Sequence, residues 1–210
     1  MKDLISTAVK ELKENSKKRN FPQTFDLIVA LKEYDIKKPE NKFTEDIVLP
    51  HGRGKEAEVV VFSDTVKEIG CKVLTTEDIN GLAKNKRAAK NLVAKTDFFL
   101  SEPKLMPTIG KVLGAYLAPR GKMPKMYTSE DVKSLVKSYK KSTRIKIKES
   151  PVIQCSVGKE NMKEEEVVEN VQEVIKALEL KLPKGKQNIG RLMLKLTMAK
   201  PVKIEAKTNG

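Results

Sequence analysis

Residues 181–203 read KLPKGKQNIGRLMLKLTMAKPVK, and the second half of this stretch has a strict alternation. Apolar positions alternate with mostly polar ones, namely Leu192, Leu194, Leu196 and Met198 against Arg191, Met193, Lys195 and Thr197. A period of two is typical of a strand that is buried on one face and carries cations and a hydroxyl on the other. The stretch contains seven basic residues and no acidic one, which suits a polyanion. A solvated strand edge protected by lysines explains the pattern equally well, so this stretch alone leaves both interpretations open.

The composition of the chain indicates a globular protein with an anionic partner. It has 210 residues, of which 39% are apolar, and a net charge of +14 with a pI near 9.6. That length allows one or two domains with a sizeable core. We expect nucleic acid rather than a membrane as the partner, because there is no long apolar run, no basic amphipathic helix and no lipidation motif. Residues 1–20 lack the apolar core of a secretory signal, which predicts a cytoplasmic protein.

The inventory of reactive side chains argues against an enzyme and against a metal site. Cys71 and Cys155 are the only cysteines, and His51 is the only histidine. This set excludes a zinc site of the Cys and His type and disfavours a disulfide framework. No phosphate loop is present, and no Gly-x-Gly-x-x-Gly follows the strand that ends at Phe62. We therefore expect no cofactor and no catalysis; turnover of a nucleotide or acyl substrate by the pure protein would revive the enzyme alternative.

Hydrophobic periodicity divides the chain into helices and strands. The predicted helices are 2–18, 63–69, 76–96 with a break near Gly81, 106–117, 129–139, and one that starts at an N-cap Asn161 and continues to 178. The predicted strands are 24–31, 45–49, 57–62, 72–74, 97–100, 144–148, 152–157, 191–198 and 202–204. Strands alternate with helices only in the middle of the chain, which favours a small parallel sheet with helices on its faces there.

The two ends of the chain match each other in pattern and differ from the middle. This arrangement predicts one discontinuous domain, 1–54 with 144–210, and a second domain, 55–143, inserted into it. The chain would cross between the domains twice, and two adjacent crossings form a hinge. The predicted hinge residues are Gly52, Gly54 and Ser142.

Two loops carry cations between glycines or prolines. In 49–55, LPHGRGK, a simple turn is favoured over a phosphate contact by roughly two to one. In 118–124, APRGKMP, prolines brace a loop that presents Arg120 and Lys122, and bracing lowers the entropy cost of binding an anion. The helical tract 79–96 is also free of acidic residues, but a solvated helix face explains it as well as RNA does.

Five short motifs occur along nearly the whole chain, and together they resemble one family. They are NFPQT at 20–24, LPHGRGK at 49–55, LAPRGKMP at 117–124, SVGK at 156–159 and TMAKP at 197–201. In this order they resemble the universal large-subunit ribosomal proteins of the L-one family, in their archaeal-like form. The resemblance implies an α/β protein of two domains, with an α+β first domain and an inserted Rossmann-like domain.

The resemblance also implies a function. Members of that family bind a stem–loop junction of large-subunit rRNA at the mobile stalk beside the tRNA exit site, and they assist release of deacylated tRNA. Many also bind a similar structure in their own mRNA and repress its translation. The expected partners are therefore large-subunit rRNA, the chain's own mRNA and exit-site tRNA, with no membrane, and we expect a monomer off the ribosome. A generic basic nucleic-acid-binding protein outside the ribosome is the alternative.

By the same resemblance, the RNA contacts lie mainly on the first domain. The positions that match the family's contacts are Phe21, Thr24, Arg191, Thr197 and Met198, and the expected additional phosphate contacts are Lys159, Lys195 and Lys200. Phe21 stands beside the start of a strand, so the residue pattern alone is equally consistent with a buried side chain. The family often has Thr-Met-Gly-Pro, whereas here Ala199 and Lys200 replace the single glycine. In the inserted domain, Arg120 and Lys122 are expected to face tRNA or rRNA, and that domain is expected to add little to rRNA affinity.

Overall fold

The computed structural model describes residues 1–17, 19–66, 70–128 and 132–204. The chain divides into two compact units: unit 1 is Met1–Lys55 with Lys141–Gly210, and unit 2 is Glu56–Lys140. Both units contain helices and sheets, which confirms the mixed α/β fold class predicted from the sequence.

The helices and strands follow one another along the described residues in a fixed order. They are α1 Lys2–Asn15, β1 Thr24–Leu31, β2 Thr44–Val48, β3 Val59–Phe62, β4 Lys72–Leu74, α2 Thr76–Lys84, α3 Lys86–Lys95, β5 Phe98–Ser101, α4 Met106–Leu117, β6 Lys125–Met126, α5 Val132–Lys140, β7 Ser142–Lys146, β8 Val152–Lys159, α6 Glu164–Lys181, β9 Ile189–Leu196 and β10 Val202–Lys203. Short 3-10 helices occur at Pro39–Asn41, Pro103–Leu105 and Gly185–Asn188.

Unit 1 is built on an antiparallel sheet with strand order β10-β9-β1-β8. Along β1 the side chains of Phe25, Leu27 and Val29 are buried, and the residues between them are half-exposed. The buried side chains belong to one core with the apolar residues of α1 and α6, namely Ile5, Ala8, Val9, Leu12, Val167, Val168, Val171, Val174, Ile175 and Leu178. The helices therefore cover one face of the sheet, and its other face carries the half-exposed side chains. Strands β2 and β7 pair separately as a two-stranded antiparallel sheet.

Unit 2 is built on a parallel sheet with strand order β4-β3-β5-β6. All four residues of β3 and all four of β5 are buried, as expected for a parallel sheet with both faces covered. Val60, Phe62 and Phe99 belong to a core with residues of α2, α3 and α4. The alternate side chains of the same strands belong to a second core with Val132 and Val136 of α5. The predicted parallel sheet with helices on its faces is therefore correct.

Strand β9 ends earlier than the alternation of residues 191–198 predicts. It ends at Leu196, and the N–H of Ala199 donates to the carbonyl of Leu196 to close a turn, N to O 3.0 Å. The prediction that Met198 lies on the buried face of the strand is therefore wrong, because the strand geometry that would bury it has already ended.

Helix boundaries differ from the predictions where a side chain caps the backbone. The break within 76–96 lies at Asn85 rather than near Gly81, because the Asn85 side-chain oxygen accepts from Ala88 N–H and starts α3. Helix α6 is capped at Lys163 rather than Asn161, and the Glu166 carboxylate accepts from the Lys163 N–H at 3.2 Å.

Two further predicted helices reach outside the described residues. Around the predicted start of helix 63–69, the Ser63 hydroxyl accepts from the N–H of Val66 at 2.9 Å, but residues 67–69 lie outside the described residues. The predicted helix 129–139 corresponds to α5, and its first three positions also lie outside them. Helix α1 ends at Asn15, three residues before the predicted end at 18, which is likewise outside the described residues.

Candidate nucleic-acid interface

Two threonines join the start of β1 to the residue after β9. The Thr24 N–H donates to the Thr197 hydroxyl oxygen at 3.0 Å, and the Thr197 N–H donates to the Thr24 carbonyl at 3.1 Å. Thr197 is exposed and Thr24 is half-exposed. The backbone thus fixes both hydroxyls at one end of the sheet, where they are accessible to a hydrogen-bonding partner.

Two large apolar side chains flank this pair in the sequence and are exposed. Phe21 is 49% exposed and Met198 is 61% exposed. The Phe21 side chain is therefore exposed, although the residue pattern alone was equally consistent with a buried side chain. An exposed aromatic ring and thioether beside accessible hydroxyls suit a partner that has both apolar faces and polar edges. We name the end of unit 1 formed by Phe21, Thr24, Thr197 and Met198 the tip.

Two residues that the sequence analysis did not single out hold the tip together. The Gln23 side chain is buried, and its oxygen accepts from the Met198 N–H at 3.1 Å. The Gln23 N–H donates to the Glu160 carboxylate at 3.2 Å, and the Glu160 N–H donates to the Gln23 carbonyl at 2.8 Å. Gln23 lies two positions before Phe25 and four before Leu27, so its side chain is on the same buried face. A polar residue at such a position is the feature of the sequence that could have identified it.

The predicted cations of unit 1 are distributed along β8, β9 and the turn after β9. Lys159 lies opposite Thr24 in the register of β1 and β8. Lys195 lies opposite Asp26 and Arg191 opposite Ala30 in the register of β1 and β9. Arg191 precedes Thr197 by six positions, which is about 20 Å along a strand. The structure thus brings Lys159 next to the tip but places Arg191 at the other end of the sheet.

Asp26 is a carboxylate in the middle of the half-exposed sheet face. It lies in register with Lys195 on one side and Ser156 on the other. Burial raises the pKa of Asp26, and the positive charge of Lys195 partly opposes that rise. Asp26 is not among the site residues predicted from the sequence, because the pattern of this stretch indicated cations on the exposed face. An acceptor among cations gives this face a polar pattern rather than a uniform positive field.

The 49–55 loop is a turn tied to α6, as the favoured interpretation predicts. The buried Asn170 side chain donates to the carbonyls of Gly52 and Val157, both at 2.8 Å, and accepts from the His51 N–H at 3.1 Å. Gly52 has φ +68° and Gly54 has φ +76°. Only glycine adopts such angles without strain.

The same loop has one charged contact and one steric restriction. His51 Nε2 lies 2.6 Å from a Glu169 carboxylate oxygen, and this hydrogen bond lowers the pKa of Glu169. A Cβ on Gly54 would lie 2.9 Å from the Met162 sulfur, so glycine is required there for space as well as for φ. Ser142, the third predicted hinge residue, is buried and paired with Val48 at the start of β7. The hinge stays a prediction.

In unit 2 the two predicted loop cations have different environments. Arg120 is exposed, whereas the Lys122 ammonium donates to the carbonyls of Val93 at 3.0 Å and Thr96 at 2.5 Å. Those carbonyls belong to the last turn of α3 and its C-cap, so Lys122 caps this helix. Because the Lys122 ammonium is hydrogen-bonded within unit 2, Arg120 is the residue of this pair that we still expect to contact tRNA or rRNA.

Neither a metal cluster nor a membrane helix is found in the part of the chain that the structure describes. Within those residues no three or more His, Cys, Asp or Glu side chains are grouped so as to hold a metal ion. No helix there is long and apolar enough to cross a membrane.

Comparison with known proteins identifies the family of the chain. Residues 12–200 match the model of the ribosomal protein L1p/L10e family. The chain belongs to this family. It is 42% identical over 205 residues to the large ribosomal subunit protein uL1 of Thermococcus kodakarensis, covering 94% of this chain and 95% of that protein. The uL1 proteins of Pyrococcus horikoshii and Methanocaldococcus jannaschii are each 40% identical, with 96% and 97% of this chain covered and 95% and 96% of theirs.

The resemblance inferred from the five motifs is therefore confirmed, including its archaeal-like form. Membership of a family of ribosomal proteins assigns the chain to the ribosome, and hence to the cytoplasm. No residue of the tip is assigned a role by these comparisons, so its role is argued below from geometry.

Proposed function

We propose that the chain is a large-subunit ribosomal protein that binds large-subunit rRNA through the tip of unit 1. The observation that carries this proposal is the exposure of Phe21 and Met198 around the hydrogen-bonded pair Thr24 and Thr197. An apolar patch of this kind costs free energy in water unless a partner covers it. The relatives named above are large-subunit ribosomal proteins, which supports RNA as that partner.

The chemistry of the tip suits RNA rather than duplex DNA. Proteins read A-form RNA by shape and by contacts to 2′-hydroxyl groups across its minor groove. The hydroxyls of Thr24 and Thr197 can exchange hydrogen bonds with such groups, and Phe21 and Met198 can pack against sugars or unstacked bases. Asp26 adds an acceptor for a hydroxyl or an amino group of the RNA.

The surrounding cations supply affinity. Lys159, Lys195 and Lys200 are near the tip, and Arg191 extends the contact along β9. Each phosphate that a cation neutralises releases counterions, so binding weakens as salt rises. Five or six phosphate contacts give a log–log salt slope of roughly −4 to −5. A slope near zero would contradict this electrostatic part of the proposal.

The finer functions implied by the family resemblance form part of the same proposal. They are binding at the mobile stalk, assistance in release of deacylated tRNA, and repression of the chain's own mRNA. Arg120, exposed on unit 2, is the cation proposed to face tRNA. Addition of the protein to a cell-free translation of its own message should lower the yield, and Thr197→Val should relieve that inhibition. Equal inhibition of an unrelated message would contradict specific repression.

A binding assay with matched variants tests the tip. The RNA is a large-subunit rRNA fragment that carries the stem–loop junction, and a plain stem of equal length serves as the comparison. We expect the double variant Phe21→Ala/Met198→Ala to bind the junction fragment about 10- to 100-fold more weakly, since two exposed anchors are lost. The matched control is Met123→Ala/Met126→Ala, which removes two exposed apolar side chains of unit 2. Equal affinities of the two double variants would overturn the tip as the binding site.

A further inference from the structure

A cleft lies beside the tip, between the end of α1 and the turn that follows β9. Its volume is about 550 Å³, within the range of sites that hold small organic molecules. The residues that line it are Glu11, Leu12, Asn15, Ser16, Lys17, Arg19, Gln23, Met198, Ala199, Lys200, Pro201 and Val202. One side chain of the tip, Met198, is therefore shared between the tip and the cleft.

Three cations line this cleft. Lys17, Arg19 and Lys200 are all exposed, and Glu11 is the one acidic residue among the lining residues. Within the described residues, none of the three cations takes part in a salt bridge or a side-chain hydrogen bond. Unpaired cations around a concave surface attract an anion and lose little by binding it.

Gln23 leaves hydrogen-bond donors without a protein acceptor. Its side-chain oxygen is committed to the Met198 N–H, and this contact fixes which end of the carboxamide is oxygen. The side-chain nitrogen then carries two N–H donors, and no described residue accepts from them. Gln23 is 1% exposed and lines the cleft. This nitrogen is not among the fully buried side-chain atoms without a partner, so solvent reaches it and an acceptor that enters the cleft can take its N–H donors.

The remaining wall of the cleft is apolar. It is formed by Met198, Ala199, Pro201 and Val202, and the turn that presents them is closed by the hydrogen bond from Ala199 to Leu196. A cleft with cations at its rim, an apolar wall and free N–H donors matches the three parts of a nucleotide: the phosphate, the face of the base and the oxygen atoms of its edge.

We propose that this cleft takes one unpaired nucleotide of the RNA that the tip binds. The phosphates on either side of that nucleotide contact Lys17, Arg19 and Lys200, and its base lies against Met198 and the apolar wall. The Gln23 carboxamide donates to an oxygen of the base or of its phosphate. A base held in a duplex stack does not enter such a cleft, so the contact selects RNA with an extruded nucleotide. This inference rests on the proposed function, because it deepens the binding of the tip.

The test combines protein variants with RNA deletions, using the full chain throughout. The RNA is the junction-bearing rRNA fragment, and each of its unpaired nucleotides is deleted in turn. We expect one deletion to weaken binding of the unchanged protein by about 10-fold, the value of one stacked base with its phosphate. The cleft variant Lys17→Ala/Arg19→Ala/Lys200→Ala should bind the intact fragment at least 10-fold more weakly. The same deletion should then change its affinity by less than about 2-fold, because the contact is already lost.

The salt slope and a charge-matched control separate the cleft from general electrostatics. The slope of the cleft variant should be shallower by about 1.4, for two phosphates of a single-stranded segment. The control variant Lys38→Ala/Lys146→Ala/Lys148→Ala loses the same charge elsewhere on unit 1 and should stay fully sensitive to the deletion. Gln23→Glu keeps the acceptor for Met198 N–H but removes the N–H donors, and it should bind the intact fragment more weakly than the unchanged protein does.

The outcomes distinguish this inference from the proposed function. If the unchanged protein does not bind the junction fragment, the proposed function fails and this inference fails with it. If the unchanged protein binds, but no single deletion lowers its affinity more than that of the cleft variant, the cleft is not a nucleotide site. The tip would then still stand as the proposed RNA-binding site. If the cleft variant has lost its urea unfolding transition, the Gln23→Glu comparison decides in its place, and equal sensitivity to the deletion would overturn the inference.

Discussion

At the scale of single residues, Thr197 connects the architecture of the tip to its proposed chemistry. Its hydroxyl accepts from the Thr24 N–H, and it lies 3.4 Å from the Thr24 carbonyl. We expect Thr197→Val to lower RNA affinity about 10-fold, since a hydrogen bond to RNA is worth about 1 to 1.5 kcal/mol. The free energy of unfolding should fall by no more than about 1 kcal/mol, because water can reach the freed N–H.

A threonine of the other sheet provides the control for that substitution. Thr44 is exposed at the start of β2, and Thr44→Val removes the same hydroxyl far along the chain from the tip. Filter binding with the rRNA fragment and urea unfolding measure the two quantities. The proposed role of Thr197 is contradicted if both variants bind RNA equally well.

Asp26 gives a prediction for the dependence of stability on pH. Burial raises the pKa of Asp26 above its ordinary value of 3.8, so the folded chain holds this proton more tightly than the unfolded chain does. Its contribution to stability is therefore full below 3.8 and is lost as pH rises through the folded-state pKa. We expect Asp26→Asn to remove this loss, so the free energy of unfolding of the variant should gain on that of the unchanged protein as the pH rises above 3.8. Parallel curves in urea titrations over that range would refute it.

The residues of the tip differ in how far the sequence could predict them. The strand alternation correctly predicts the buried Leu192, Leu194 and Leu196. It fails for Met198, because the turn at Ala199 ends the strand and a period of two contains no information about where a strand stops. Gln23 was missed because its partner, the Met198 N–H, is distant in sequence, and the hydrogen bond exists only once β1 and β9 are paired.

At the scale of elements, the loop 49–55 depends on one buried side chain of α6. Asn170 makes three hydrogen bonds, two of them to this loop, and it is fully buried. We expect Asn170→Ala to lower the free energy of unfolding by about 3 kcal/mol, because backbone groups would be left buried without partners. The matched control is Asn91→Ala on the exposed side of α3, which should cost less than about 0.5 kcal/mol. Equal losses in urea unfolding would show that Asn170 does not hold the loop.

Helices and strands were predicted best where periodicity is long and worst where a single side chain decides. The bounds of β1, β4 and α4 agree with the prediction. The break between α2 and α3 was misplaced at Gly81, because a glycine weakens a helix whereas the Asn85 cap actually starts a new one. The structural role of Lys122 could not be predicted either, since its acceptors belong to a helix that precedes it by more than 20 residues.

At the scale of the whole molecule, the two segments of unit 1 that flank the insertion of unit 2 lie close together. The Leu49 N–H donates to the Lys141 carbonyl at 3.3 Å, and a Cβ on Gly52 would lie 3.5 Å from the Lys141 side chain. A short glycine and serine linker can therefore replace residues 56–140. We expect this deletion variant to bind the junction fragment within about 3-fold of the full chain, because the tip, the cleft and most of the proposed contacts belong to unit 1.

Two controls accompany the deletion. Far-UV circular dichroism and a urea transition establish that the shortened chain is folded, and Thr197→Val in the shortened chain should weaken binding by the same factor as in the full one. A large loss of affinity in a folded deletion variant would contradict the proposal that unit 1 supplies most of the affinity for rRNA.

The fold class could be predicted from the sequence because the two units differ in pattern. Uninterrupted apolar runs such as VVVF at 59–62 indicate a parallel sheet covered on both faces, and alternating runs such as 191–196 indicate a sheet covered on one. The role of the tip was not accessible in this way. It depends on the meeting of residues 21–24 with residues 197–198, and no local pattern contains that pairing.

The central claim is that unit 1 recognises ribosomal RNA and not merely a polyanion. The most direct measurement compares the dissociation constant of the full chain for the junction-bearing rRNA fragment with that for duplex DNA of equal length, both at about 150 mM salt. We expect the rRNA fragment to bind at least about 10³-fold more tightly, because specific recognition exceeds general electrostatic binding. Equal affinity for the two nucleic acids would contradict it, and would indicate a generic basic nucleic-acid-binding protein instead.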